Sequence, residues 1–139
     1  MSSSSASWTV LVFSDDVRIR ERIRAAVGRR PASDVGQVEY ADAATFDDVI
    51  RLVDAGGVDL CILDGEASPA GGLGISRQLK DEIDNCPPML VVLGRTADRW
   101  LASWARCDAV LFHPIDAVAA ADTVAELLRG RARAPLQGQ

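Results

Sequence analysis

Positive charge, paired cysteines and long apolar runs are what this sequence lacks. Lys and Arg together number 15 against 20 Asp and Glu, giving a net charge of −5. Nucleic-acid binding needs concentrated Lys and Arg against phosphate, so DNA or RNA as a direct partner is disfavoured. Arginines do gather at Arg18, Arg20, Arg22, Arg24, Arg29 and Arg30. Glu21 and the pair Asp15-Asp16 interrupt or flank them, which fits a solvated helix face. The three cysteines, Cys61, Cys86 and Cys107, are odd in number, far apart and without C-x-x-C spacing. They read as reduced, packed thiols of a cytosolic protein. No apolar run approaches the ~18 residues of a membrane span, so no membrane association is expected. Residues 1–7 are Ser-rich and lack both a basic segment and an apolar segment, so they do not read as a secretory signal.

What is present is an ordinary globular composition, 48% hydrophobic and 25% charged over 139 residues. That length suits one domain burying about two-thirds of its unfolded surface. The expected boundaries are an N-terminal arm at 1–7, a folded domain at 8–129 and a tail at 130–139. Residues 8–13, rich in β-branched and aromatic side chains, predict a first strand ending in Ser14-Asp15-Asp16. A helix follows with Ile19, Ile23, Ala26 and Val27 on one face, stopped by Gly28 and Pro31. Residues 35–40 predict a weaker strand containing Gly36. Thr45 can cap a second helix whose stripe is Phe46, Val49, Ile50 and Val53, ended by Gly56-Gly57.

Residues 58–63 form a short, nearly continuous apolar run ending on Asp64 and Gly65, as expected of a strand buried on both faces of a parallel sheet. A loop at 65–72 leads to a third helix at 73–83 with Ile75, Leu79 and Ile83 inward. A fourth strand is expected at 89–93 and a short helix carrying Trp100, Leu101 and Trp104 after it. A fifth strand at 109–112 closes on His113-Pro114, and a last helix at 115–129 has Val118, Val124, Leu127 and Leu128 as its apolar positions. Strands alternating with helices imply an α/β fold, a parallel sheet covered on both faces, because parallel neighbours need crossover connections.

In such a sheet the carboxyl ends of the first, third, fourth and fifth strands share one edge, where open α/β folds bind ligands. Ser14, Asp15, Asp16, Asp64, the 94–96 segment and His113 collect there. Carboxylates brought together repel and either change protonation or recruit a cation. Oxygen ligands with one or two carboxylates suit Mg2+, which keeps several waters and accepts phosphate as a further ligand. A carboxylate beside that ion can act as a nucleophile towards phosphorus.

These features resemble the receiver domains of two-component response regulators, in CheY-like form. The resemblance rests on the acidic cluster after the first strand, Asp64 after the third, a Pro/Gly loop before the third helix, and His113-Pro114 where the family has Lys-Pro. It covers residues 8–129. It implies a doubly wound, five-stranded flavodoxin/CheY-like sheet of order 2-1-3-4-5, with Asp64 as phosphoacceptor. It also implies Mg2+ held by Asp15, Asp16, Asp64 and the backbone carbonyl of Glu66. The implied role is a stand-alone cytoplasmic receiver, a signalling module rather than an enzyme. The implied partners are a sensor histidine kinase or phosphotransfer protein, a downstream protein target, and a second copy of the chain in a homodimer.

The sequence also departs from that family. Counted back from Ile19, Ile23 and Val27, the family's acidic pair aligns with Ser14 and Asp15, with Asp16 in a neighbouring acidic position; the other register pairs Asp15 with Asp16. The Ser or Thr that binds the phosphoryl group at the end of the fourth strand is replaced by Gly94, with Thr96 two residues on as a substitute. The phosphate-pairing Lys is replaced by His113, and Val110 stands where the family often has an aromatic switch residue. Two other readings follow: a pseudo-receiver acting as a phosphate-independent interaction module, and a flavodoxin-like small-molecule binder on the same sheet edge. The bland readings stand beside these. The 70–74 glycine run lacks G-x-G-x-x-G spacing and a Walker lysine, so it reads as a loop. Trp100 and Trp104, one turn apart, read as core, with a partner-docking face as the alternative.

Overall fold

The structure, a computed structural model, describes residues 7–67, 71–94 and 100–133. Ten elements alternate in the order expected of α/β crossovers. They are β1 (Ser7–Phe13), α1 (Val17–Val27), β2 (Gln37–Ala43), α2 (Phe46–Asp54) and β3 (Leu60–Asp64), followed by α3 (Gly72–Glu82), β4 (Met89–Leu93), α4 (Leu101–Ala105), β5 (Ala109–Phe112) and α5 (Ala117–Arg133). The sheet is parallel throughout, in the order β2-β1-β3-β4-β5. This is the doubly wound order that the receiver resemblance implies.

The apolar runs of β3 and β4 are fully buried because both faces of the sheet are covered. Successive side chains point to opposite faces. Val10, Val12, Leu60, Ile62, Leu90, Val92 and Leu111 face one core, with Ile23, Val27, Val124 and Leu128 of α1 and α5. Leu11, Phe13, Cys61, Leu63, Met89, Val91 and Leu93 face the other, with Val49, Val53, Ile75 and Leu79 of α2 and α3. The same alternation carries on beyond the strands. Ser14, Asp64 and His113 follow Val12, Ile62 and Leu111 by two residues, which aims them at the α1/α5 side.

Capping fixes the helices that flank the edge. Asp16 is the N-cap of α1 and accepts from the Arg18 N–H at 2.9 Å, while Gly28 closes the helix at φ +79°. Thr45 caps α2 by accepting from the Asp48 N–H at 3.1 Å, and Asp48 reaches back to the Ala44 N–H. Cys61, Cys86 and Cys107 are free thiols, and burial pushes the Cys61 thiol far up. No helix among the described residues is long and apolar enough to cross a membrane.

Several boundaries and faces differ from the expectation. The second strand is not 35–40 but Gln37–Ala43. Val35 belongs to the preceding turn, where its N–H donates to Ala32 O and its carbonyl accepts from the Trp8 indole. Residues Ala41, Asp42 and Ala43 instead pair with Leu11, Val12 and Phe13. The last helix starts at Ala117, after Asp116 accepts from the Ala119 N–H at 2.8 Å, and runs through Gly130 to Arg133. An ion pair of Arg131 with Asp59 at 3.5 Å tethers the turn after Gly130. Val118 is 69% exposed, so the buried stripe of α5 is Ala120, Val124, Ala125 and Leu128. Finally, Trp100 and Trp104 are not core: they are 69% and 48% exposed. Helix α4 has five residues and buries only Ala105, so its aromatics stay outside, Trp104 beneath the Arg77 guanidinium at 4.9 Å.

Candidate functional site

The carboxyl edge of the sheet opens into a cleft of about 920 Å3. Asp15, Asp16, Asp64, Glu66 and His113 line it, together with Ile19 and Arg22 of α1 and with Pro114, Ile115 and Ala117 at the start of α5. The edge therefore brings together the acids and the histidine singled out in the sequence. Gly94 lies beside Glu66. Thr96 and the rest of 95–99, residues 1–6, 68–70 of the expected loop and 134–139 of the expected tail lie outside the described residues. Trp100 and Trp104 do not line the cleft.

Asp64 is the centre of this arrangement. It ends the central strand and is only 4% exposed, yet it lines the cleft. Register explains its first neighbour. Val12 pairs with Ile62 across β1 and β3, so Ser14 falls opposite Asp64. The fully buried Ser14 hydroxyl donates to Asp64 Oδ2 at 2.8 Å and accepts from the Asp16 N–H at 3.1 Å. The Ser14 backbone is fixed as well, its N–H donating to Ala43 O and its carbonyl accepting from Arg20 at 2.6 Å. The other carboxylate oxygen, Oδ1, accepts from the Glu66 N–H at 2.9 Å. His113 Nε2 stands 3.6 Å from the same oxygen, a charge contact when protonated and too long for a hydrogen bond. The His113–Pro114 peptide is cis.

The remaining acids divide their work. Asp16 caps α1, and the Arg18 N–H and guanidinium beside it hold its carboxyl below the usual carboxylate range. Glu66 turns its carboxylate towards the end of β4, where Oε2 accepts from the Gly94 N–H at 3.1 Å. The chain's one lysine, Lys80, is paired with Asp108 at 2.7 Å at the entry to β5, so no lysine serves the cleft. Sequence reasoning treated Ser14 as a lost acid and missed its bond to Asp64; period-2 alternation plus strand register was the signal that could have found it. The side chain of Glu66 was missed too, and no local pattern announced it.

Among the described residues, no group of three or more His, Cys, Asp or Glu side chains is arranged to hold a metal ion. The oxygen set nevertheless suits Mg2+ in its minimal form. Asp15 and Asp64 supply two carboxylates on the cleft, and its open side admits water and phosphate. Asp16 is the weakest contributor because its oxygens already serve the helix cap and Arg18.

Two uncharacterized response regulatory proteins, from two strains of Mycobacterium tuberculosis, are each 50% identical to this chain over 132 residues, covering 95% of it and 99% of the relative. No protein-family model matches. Among solved structures, a Francisella response regulator receiver domain superposes with a TM-score of 0.72 at 18% identity, covering 87% of this chain and 96% of that one. The chemotaxis response regulator CheY4 of Vibrio cholerae gives a TM-score of 0.72 at 16% identity, covering 88% of this chain and 99% of that one. Half of all positions shared along almost the full length of both chains, on a sheet of order 2-1-3-4-5 with its acids at the carboxyl edge, establishes that this chain belongs to the response regulators and has their CheY-like receiver fold.

Proposed function

We propose that this receiver accepts a phosphoryl group on Asp64, with Mg2+, from a sensor histidine kinase or phosphotransfer protein, and passes the state to a downstream protein. The observation that carries the reading is Asp64 itself: a shielded carboxylate at the end of the central strand that still opens onto a cleft wide enough for a phosphorylated side chain. An Asp64 oxygen attacks phosphorus, the bond from phosphorus to the donor nitrogen breaks, that nitrogen takes up a proton, and an acyl phosphate remains. Ser14 and the Glu66 amide orient the carboxylate for this attack. Bound Mg2+, held by Asp15 and Asp64, would neutralise charge on the phosphoryl oxygens. His113 stands on the β5 side where the family has its lysine, shorter and a cation only when protonated. The exposed Trp104 of α4 and Trp100 just before it are our candidates for the face that a downstream protein or a second copy reads.

Acetyl phosphate with Mg2+, followed by intact mass, tests the claim. One phosphoryl increment is expected on the wild type and none on Asp64→Asn. An increment that survives this substitution, or none on the wild type, overturns it. Mg2+ binding by calorimetry should be lost in Asp15→Ala. Ser14 at an acid position and Gly94 in place of a hydroxyl favour a second reading, a pseudo-receiver whose partner reads the surface without phosphate. That reading expects no increment and full partner binding by Asp64→Asn.

A further inference from the structure

The end of β4 is where receivers are expected to carry a hydroxyl for phosphate, and here Gly94 looks at first like a simple loss. The neighbouring geometry says otherwise. Glu66 Oε2 accepts from the Gly94 N–H at 3.1 Å, across 28 residues of sequence. A Cβ placed on Gly94 would meet Glu66 Cδ at 3.2 Å, Oε1 at 3.4 Å and Cγ at 3.5 Å. The glutamate lies over the glycine, and a side chain at 94 would press it aside by a few tenths of an ångström. The turn carrying Glu66 is itself seated on β4. Gly65 N–H donates to Val92 O at 2.8 Å, and a Cβ on Gly65 would come within 2.9 Å of both Val92 O and the Leu93 side chain. At the other end, the Glu66 N–H is bound to Asp64 Oδ1. One residue thus ties the acceptor carboxylate, through its amide, to the end of β4, through its side chain.

We infer that Glu66 is a positioning residue: its carboxylate holds the end of β4 through the Gly94 amide in the unmodified protein, beside a position whose lack of a side chain leaves it room. The charge of this tether sets its response. An acyl phosphate on Asp64 carries about −1.5 to −2 near neutrality in place of the single carboxylate charge, and adds three acceptor oxygens. Placed two residues from Glu66, the charge that Mg2+ leaves unneutralised repels the Glu66 carboxylate and weakens its bond to Gly94. Where the family is expected to draw the end of β4 inward with a hydroxyl, this chain lets it go. The tether stands on the geometry alone; the release rests on phosphoryl acceptance at Asp64.

Residue-resolved amide hydrogen exchange at Gly94, read by NMR, separates the two parts. In the unmodified protein, Glu66→Ala should speed Gly94 exchange about fivefold, the loss of one charge-assisted but solvent-facing bond. Glu66→Gln keeps an acceptor oxygen and should restore most of the protection. Gly94→Ala should crowd the carboxylate and add nothing to Glu66→Ala in the double variant. Unchanged Gly94 exchange in Glu66→Ala overturns the tether, whatever the phosphorylation result. Beryllofluoride with Mg2+, its binding followed by fluorine NMR, should then speed Gly94 exchange in the wild type and not in Glu66→Gln. Beryllofluoride that binds while Gly94 protection holds or rises overturns the release. Beryllofluoride that fails to bind overturns phosphoryl acceptance, and the release with it, while the Glu66→Ala arm still decides the tether.

Discussion

A serine meets Asp64 at the position where an acid was expected, and the exchange alters the electrostatics of the whole cleft. A carboxylate there would place a second negative charge about 3 Å from Asp64, which is tolerable only with a cation between them. The Ser14 hydroxyl instead supplies a donor at 2.8 Å and removes the need. Ser14→Ala strips that donor from a buried carboxylate and leaves the Asp16 N–H without its acceptor. The expected loss is about 1–3 kcal/mol, the cost of an unsatisfied buried polar group. It should appear as a lower urea midpoint with an unchanged slope. Ser14→Asp should act in two directions: less stable than the wild type without divalent cation, yet with tighter Mg2+ binding by calorimetry, because the new carboxylate both repels Asp64 and adds a ligand. Equal Mg2+ affinity in Ser14→Asp would mean that position 14 does not face the ion at all. The Ser14–Asp64 contact was legible in principle. Val12 and Ile62 share a face and a register, and two more residues along each strand lead to it.

At the scale of elements, α3 shows how closely the site depends on packing behind it. The helix begins at Gly72, pressed onto the end of β3: a Cβ there would meet Leu63 Cβ at 2.8 Å and the Asp64 carbonyl carbon and oxygen at 3.0 Å. On helix propensity alone, Gly72→Ala should stabilise by up to about 1 kcal/mol. Overlap with backbone atoms that cannot rotate away costs about 1–3 kcal/mol, so the net effect should be destabilising. The same substitution pushes on the carbonyl of Asp64, so beryllofluoride affinity should fall along with the urea midpoint; a stabilised variant with full affinity would show that α3 can slide. Strands β4 and β5 were legible to the residue, since an unbroken apolar run between turn residues has one reading in this context. Strand β2 was not, because Asp42 and two alanines break its pattern and pairing with β1 decides it. Helix α4 misled for a related reason. Two tryptophans one turn apart look like a core stripe, but five residues are too few to turn both inward, and Ala105 took the buried place.

For the molecule as a whole, the architecture was legible because it follows from counting. Five apolar runs separated by amphipathic helices leave a parallel sheet with two covered faces, and the acids at strand ends then share an edge. The tether from Glu66 to Gly94 was not, because it is made by two residues 28 positions apart that carry no common pattern. Two covered faces also mean two separate cores divided by the sheet. Val124 of α5 belongs to one and Val49 of α2 to the other, each fully buried, and they share no cluster. Val→Ala at either site should destabilise by about 2 kcal/mol, from two lost methyl groups and the small cavity left behind. Residues that share no partner act independently, so the double variant should lose the sum of the two single losses within about 0.5 kcal/mol. Strands β3 and β4, between those cores, are buried on each side, so neither face can melt without exposing the other's floor. The double variant should therefore still unfold in one transition, with tryptophan fluorescence and far-ultraviolet circular dichroism coincident. Two separated transitions would show that the α1/α5 face, which builds the cleft wall beside Asp64, folds as its own unit.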